Sequence, residues 1–394
     1  MKKLFYGFIS LSLLLTACGT APSTAATATV PAPTETPVIS VTPPPSNITL
    51  LPQPSPTLYP SEGYGPSNFP ADVNPLTGLQ VANPALLDRR PLLVKVSNLP
   101  RDVRPQWGLS LADIVFEYYT EKGTTRFATI FLGNNADMVG PIRSGRFFDA
   151  DVVRGYKAIY VFGYADQTEM DPFNHSDFAD RMITQNTPNT PLYRYDPNGY
   201  NHLMGNTADL SAFATSTGVE NGRQNLDSMT FKLEAPTEGQ PGNQVIVHYS
   251  RSIYNRWDYD PATGRYLRFS DTFDLTDADQ NEQYAQLTDR LTGQPIAFDN
   301  LVVLNVTQEV YSSDSQGNKI YDILFSGTGD GYAFRDGQAY QVKWQRNDTD
   351  VVSLTNPDGT PFPFKPGTTW FEVVGVSSSV QQTSQGWRFT HEMP

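Results

Sequence analysis

Cysteine is almost absent. Cys18 is the only one in 394 residues, which excludes disulfides, thiolate metal centres and a thiol nucleophile from the rest of the chain. Histidine is nearly as scarce: His175, His202, His248 and His391 are scattered and no His-Glu-x-x-His occurs, so neither a metal nor another cofactor is expected. Gly-x-Ser-x-Gly and Ser-x-x-Lys are missing too, which removes the familiar serine-hydrolase patterns. Basic residues are few, 28 Lys plus Arg against 41 Asp plus Glu for a net charge of −13, and they form no basic face. Nucleic-acid binding, which needs such a face, is therefore not expected. A membrane-spanning run is also lacking, because the apolar stretch from Leu4 to Leu15 is too short to cross a bilayer.

That short stretch has its own meaning. Lys2 and Lys3 precede it and Leu15-Thr16-Ala17-Cys18-Gly19 follows as a lipobox, so residues 1–18 read as a lipoprotein signal peptide with Cys18 as the lipidation point. The plain alternative is an ordinary cysteine in a cleaved leader. Residues 19–70 form a Thr/Pro/Ser/Ala stretch whose only charge before Glu62 is Glu35. It cannot bury a core and reads as a disordered linker. At about 3 Å per residue in a polyproline-like state it reaches on the order of 100 Å. The expected address is the outer, extracytoplasmic face of the cell membrane.

The remaining roughly 320 residues suit two domains. The expectation is a layered α+β architecture, with a mixed-sheet N-terminal domain carrying a few helices over 71–228. A mostly β domain over 229–380 follows, sharing sheet edges with the first, and then a tail over 381–394. In the first half, Leu92–Val96 and Ala158–Tyr164 have strand character, and Ile114–Tyr119 and Phe127–Leu132 alternate as a hairpin around Glu121-Lys122-Gly123-Thr124. Ser144 is the expected N-cap of a helix burying Phe147, Phe148, Val152 and Tyr156, and Thr207 that of a second helix over Thr207–Thr217 with Gly218 past its end. From Met229 onward short alternating or apolar runs, Asn300–Tyr311 among them as a single strand, separated by turns such as Asp260-Pro261-Ala262-Thr263-Gly264 and Asp336-Gly337, predict hairpins. Gly327-Thr328-Gly329-Asp330-Gly331 opens no helix and is taken as a turn rather than a phosphate loop. The acidic loops 277–282 and 314–318 lack EF-hand spacing.

The densest group of opposed charges surrounds the first hairpin. Glu117 lies on the strand face opposite Phe116 and Tyr118, so it is either exposed or needs a partner. Arg126, Arg143 and Arg146 are the nearby cations, and a long polar excursion downstream carries Arg194 and His202. Two readings stay open: an Arg–Glu lattice tying helix to sheet, or a ligand-binding pocket built from Glu117, Arg126, Arg143, Arg146, Arg194 and His202. A carboxylate pair is conceivable from Glu117 and Glu121 or from Asp166 and Glu169 by residue type alone.

Long motifs carry a resemblance. RPLLVKVSN, RPQWGLSLADIVFEYYTEKGTTRF, VGPIRSGRFFD and PLYRYDPNGYNHLMGNT, with GTGDGYAFRDGQAYQVKWQRND and KPGTTWFEVV in the second half, are similar to the YerB-like lipoprotein family from about Asn74 to Val374. Where that family has a Pro-His-Asn-like turn, this chain has Tyr200-Asn201-His202-Leu203. The resemblance implies a surface-anchored lipoprotein of layered β and α structure and no known reaction. The expected function is a lipid-anchored binding or scaffolding protein of the cell envelope, held to the membrane through Cys18 and contacting cell-wall polymer or a wall-synthesis protein. The alternative is an extracytoplasmic hydrolase of wall glycan or peptide, with Glu117 and His202 as acid and base.

Overall fold

The protein's structure is a computed structural model and describes residues 59–199, 201–276, 281–313 and 317–394. Cys18, the signal peptide and the linker up to residue 58 lie outside the described residues, as do parts of both acidic loops. From Tyr59 the chain is already packed, eleven residues before the expected end of the linker at residue 70. Tyr64 exchanges backbone hydrogen bonds with Phe231 (3.0 and 2.8 Å), and Tyr59 lies edge-on to Tyr64.

The first half supplies strands β1 (Leu92–Ser97), β2 (Ile114–Tyr119) and β3 (Thr125–Phe131), helix α1 (Phe147–Tyr156), strand β4 (Ile159–Val161), helix α2 (Gln167–Asn174), strand β5 (Met182–Ile183) and helix α3 (Thr207–Ser216). The predicted hairpin forms as β2–β3, closed by a hydrogen bond from the Thr124 amide to the Glu121 carbonyl (2.9 Å). Lys122 and Gly123 both take positive φ (53° and 74°), the type I′ geometry that matches strand twist. Both helix caps fall off the expected residues. Helix α1 starts after Arg146, not Ser144, because the Asp149 carboxylate accepts the Arg146 amide (2.8 Å). For α3, Asn206 takes the cap from Thr207 by accepting the amides of Ala208 and Asp209.

The second half contributes β6 (Gln240–Pro241), β7 (Gln244–His248), β8 (Tyr254–Asp260), β9 (Arg265–Asp271), β10 (Asn300–Val306), β11 (Gln308–Ser313), β12 (Lys319–Ile323), β13 (Gly327–Arg335), β14 (Gln338–Arg346), β15 (Thr369–Gly375), β16 (Ser379–Gln382) and β17 (Trp387–Thr390). An eleven-stranded sheet runs β6-β14-β13-β10-β15-β2-β3-β1-β4-β5, with Ser353–Thr355 also on β14. It crosses from one half of the chain to the other where β15 lies parallel to β2. A seven-stranded sheet runs Tyr284–Gln286, β9, β8, β7, β17, β16, with Ala297–Phe298 on β9. It packs its Trp257 and Tyr266 against Val115, Phe127 and Trp370 on one face of the large sheet. Phe148, Val152 and Tyr156 of α1 pack with Phe116 and Tyr118 on the other.

Three expectations are corrected here. The apolar run from Asn300 to Tyr311 is two strands: after Thr307 the chain leaves the large sheet to make the separate ribbon β11–β12. The Gly327–Gly331 stretch is strand, not turn, since a Cβ at Gly329 would sit 2.4 Å from the Trp344 indole nitrogen across the pair. The 381–394 tail contains β17, whose alternating Trp387 and Phe389 pack inward while it pairs parallel with β7.

Candidate functional site

Alternation along β2 divides the expected charge cluster in two. Glu117 and Tyr118 point to opposite faces of the sheet, and Arg126 stands opposite Tyr118 in the register. Glu117 and Arg126 thus belong to different layers.

On the face covered by the second sheet, the parallel register sets Glu117 directly beside Glu372 of β15. Two adjacent like charges repel. Arg268 on β9 resolves this, its guanidinium reaching Glu117 at 2.7 Å and Glu372 at 3.1 Å, with all three side chains sealed from solvent. Thr125 and Asn98 donate to Glu117 (2.7 and 3.1 Å), and the Trp257 indole and Tyr249 hydroxyl donate to Glu372 (2.8 and 3.0 Å). The guanidinium also stacks over Trp370, Trp257 and Phe127. Burial, and then the Glu117 carboxylate, push the Glu372 carboxyl up. Its partners are supplied internally, so Glu117 leaves the list of ligand-facing groups and joins the core.

On the opposite face the cluster is open. Glu121, in the hairpin turn, accepts from Arg126 (2.8 Å) and from Arg146 Nε (2.8 Å), and Arg146 Nη2 closes a second contact. The Arg146 Nε also lies 3.5 Å from Glu169 on α2. Helix α2 sets Glu169 in its first turn, capped by Asp166, which accepts the Thr168 amide (3.0 Å). Burial raises the Glu121 carboxyl, but Arg126 and Arg146 outweigh it and hold it down to about 2. For Glu169 burial wins, and its carboxyl is pushed up to about 7. One carboxyl of the pair stays ionised while the other titrates near neutrality.

Beneath lies a sealed polar layer. Asp149 accepts from Lys95 (2.9 Å), from the Tyr118 hydroxyl (2.5 Å) and from the Tyr160 hydroxyl (2.6 Å), and Lys95 also contacts Tyr118. Burial brings the Lys95 ammonium down to about 7 against the pull of Asp149. Arg143, next along the chain, bonds its amide to the Lys95 carbonyl (2.8 Å) and adds positive charge against Arg126.

Above Glu121, Arg146 and Glu169 opens a cavity of about 160 Å³, whose remaining wall includes Lys122, Asp166, and Lys319 and Tyr321 of β12. One Glu169 oxygen, Oε2, is buried with no hydrogen-bond partner, although the residue is only 1 % exposed. Such a group invites a donor from outside.

Arg194 and His202 belong elsewhere. They flank the small pair Tyr193–Arg194 and Leu203–Met204, which attaches to the loop before α1 through the Ile142 amide and the Leu203 carbonyl (2.6 Å). Arg194 bonds the Gly199 carbonyl and Gln185, while His202 lies 3.6 Å from Asp196 and packs on Tyr195, itself on Trp107. Glu117 and His202 share no cleft, so the acid–base pair of the hydrolase reading is not assembled. Of the six expected ligand residues the structure gathers Arg126, Arg143 and Arg146. Glu121 replaces Glu117, and Glu169 joins from the carboxylate pair weighed with Asp166, placed by the helix start that Asp166 caps.

The comparisons agree with this architecture. The family described as "Protein of unknown function (DUF3048)" matches with its N-terminal domain over residues 76–220 and its C-terminal domain over 245–371. The chain belongs to this family. It is 29% identical over 308 residues to the Bacillus subtilis protein named "Putative lipoprotein YerB", covering 76% of this chain and 85% of that protein. The crystal structure of the YerB protein from Bacillus subtilis superposes with a TM-score of 0.63 at 26% identity, over 77% of this chain and 96% of that one. Both halves of the fold therefore belong to the family.

Proposed function

We propose that this protein is a lipid-anchored, extracytoplasmic binding component of the cell envelope, held to the outer face of the membrane through Cys18. Its site is the cavity at Glu121, Arg146 and Glu169. It binds there without making or breaking bonds, and its partner is cell-wall polymer or a protein that builds it. The lipobox and long spacer support the address. One observation supports the site above all: Glu169, whose Oε2 is buried without a hydrogen-bond partner, lines a cavity that Lys122 and Lys319 also line. That pairing suits an amino-acid-sized group with a hydrogen-bond donor for Glu169 and a carboxylate for the lysines, as at the free end of a wall peptide.

Calorimetric titration of the full chain in detergent with sugar-free wall stem peptides tests this. Arg143→Ala combined with Arg146→Ala is expected to abolish binding while the thermal unfolding midpoint stays within a few degrees. Collapse of the fold in that double variant would return the arginines to a purely structural lattice, and absence of binding by the parent chain would remove the proposal.

A further inference from the structure

A second depression lies far along the sheet from this cavity, in the second half. It is a groove of about 670 Å³ between the last strands of the two sheets: β6 and β14 on one side, β16 and β17 on the other. The loop at Pro236–Glu238 and the turn at Asn356–Asp358 close its flanks. That volume is within the range of built ligand sites.

Its chemistry is unusual for this protein. Trp387 and Tyr340 supply aromatic rings, Gln240, Gln341, Gln382 and Asn356 supply amides, and no lysine, arginine or histidine is among the lining residues. The rings are fixed and their polar atoms are spent. The Trp387 indole donates to the Pro241 carbonyl (2.9 Å) while its ring packs on Tyr332 at 5.2 Å. The Tyr340 hydroxyl donates to the Pro236 carbonyl (2.9 Å). Tyr340 is only 6 % exposed, so it is the part-exposed Trp387 ring that offers a ligand apolar face, while the amides offer paired donor and acceptor.

We infer that this groove binds a neutral oligosaccharide, with Trp387 as the stacking platform and the amides reading hydroxyl and acetamido groups. A sugar presents just that alternation, C–H faces for the ring and hydroxyls at the edge. Phosphate or carboxylate ligands find no cation to neutralise them. A basic peptide is less well served, because one of the two carboxylates, Asp358, already accepts the Thr360 amide and hydroxyl (2.9 and 2.6 Å) through Oδ1. The wall is mixed rather than greasy, which disfavours a lipid chain. This site is separate from the Glu169 cavity and does not depend on the reading of that cavity.

The test is calorimetric titration of the full chain in detergent with chitotetraose, a neutral N-acetylglucosamine tetramer, with a Lys-rich peptide of similar length as the alternative probe. Saturable sugar binding is expected, weakened at least ~10-fold by Trp387→Ala. Since that change also removes packing on Tyr332, Gln382→Ala on the exposed strand β16 is the second variant, expected to weaken binding severalfold with unchanged unfolding. Glu169→Gln, in the other cavity, is expected to leave sugar binding unaltered. No binding of chitotetraose, binding that neither groove variant weakens, or binding of the peptide alone would each overturn the inference.

Discussion

The molecule holds two arginine–glutamate–glutamate clusters on opposite faces of one sheet, built from the same hairpin. Around Arg268 the acids come from adjacent parallel strands and the covering sheet shuts out water. Around Arg146 the acids come from a turn and a helix start, and a cavity opens beside them. The chemistry is alike and the access is not. Sealed, an ion cluster holds two layers in register; open, one of its acids keeps an unanswered oxygen.

The sharpest way to break this contrast is to remove each arginine in turn. Arg268→Leu strands two buried carboxyls and is expected to cost about 3–5 kcal/mol in urea unfolding. Arg146→Leu leaves Glu121 still paired with Arg126 and is expected to cost about 1–2 kcal/mol. Equal losses would erase the distinction.

A smaller effect separates the clusters by pH. The Glu372 carboxyl is raised in the folded state from 4.5 to about 8, so the stability it contributes is fully present below about 4.5 and is lost as pH rises through 8. Glu169 adds a parallel loss that ends near 7. Glu121, being lowered, works in reverse: its contribution holds above 4.5 and is lost as pH falls through about 2. Lys95, lowered from 10.5 to about 7, adds an opposing gain above 7, so unfolding midpoints should decline from pH 5 to 7, and Glu372→Gln should lessen that decline. A slope unchanged in the variant would show that the sealed pair does not titrate there.

The smallest effect is expected at the surface. Arg194→Ala and His202→Ala should each shift stability by no more than about 0.5 kcal/mol, and should leave wall-peptide binding intact. A large loss of binding in either would reunite the excursion with the cavity.

Much of the first half can be read from its residues. Period-two alternation defines β2 and β3, Lys122-Gly123 defines their turn, and the same alternation already sets Glu117 apart from Phe116 and Tyr118. What no local pattern discloses is the partner, because Arg268 sits on a strand of the other sheet and Glu372 reaches Glu117 only through a parallel pairing distant in sequence. Arg126 was grouped with Glu117 by nearness along the chain, although the register sends it to the other face. Glu169 stands in the sequence only as half of a carboxylate pair with Asp166, because its environment, burial beside Arg146 with one oxygen lacking a donor, is tertiary. Trp387 lies inside the expected 381–394 tail, although Trp387-Arg388-Phe389-Thr390 carries the strand alternation.

The join between β2 and β15 has a consequence for how the chain is made. The outer edge of the central hairpin has no neighbour until synthesis has reached residue 375, so a row of unpaired amides and carbonyls stays open through most of translation. Long-range parallel pairing is slow, and an open edge recruits other strands while it waits. A chain truncated before Thr369 should therefore aggregate rather than yield an independent first lobe, and the nascent protein has reason to need a chaperone wherever it emerges.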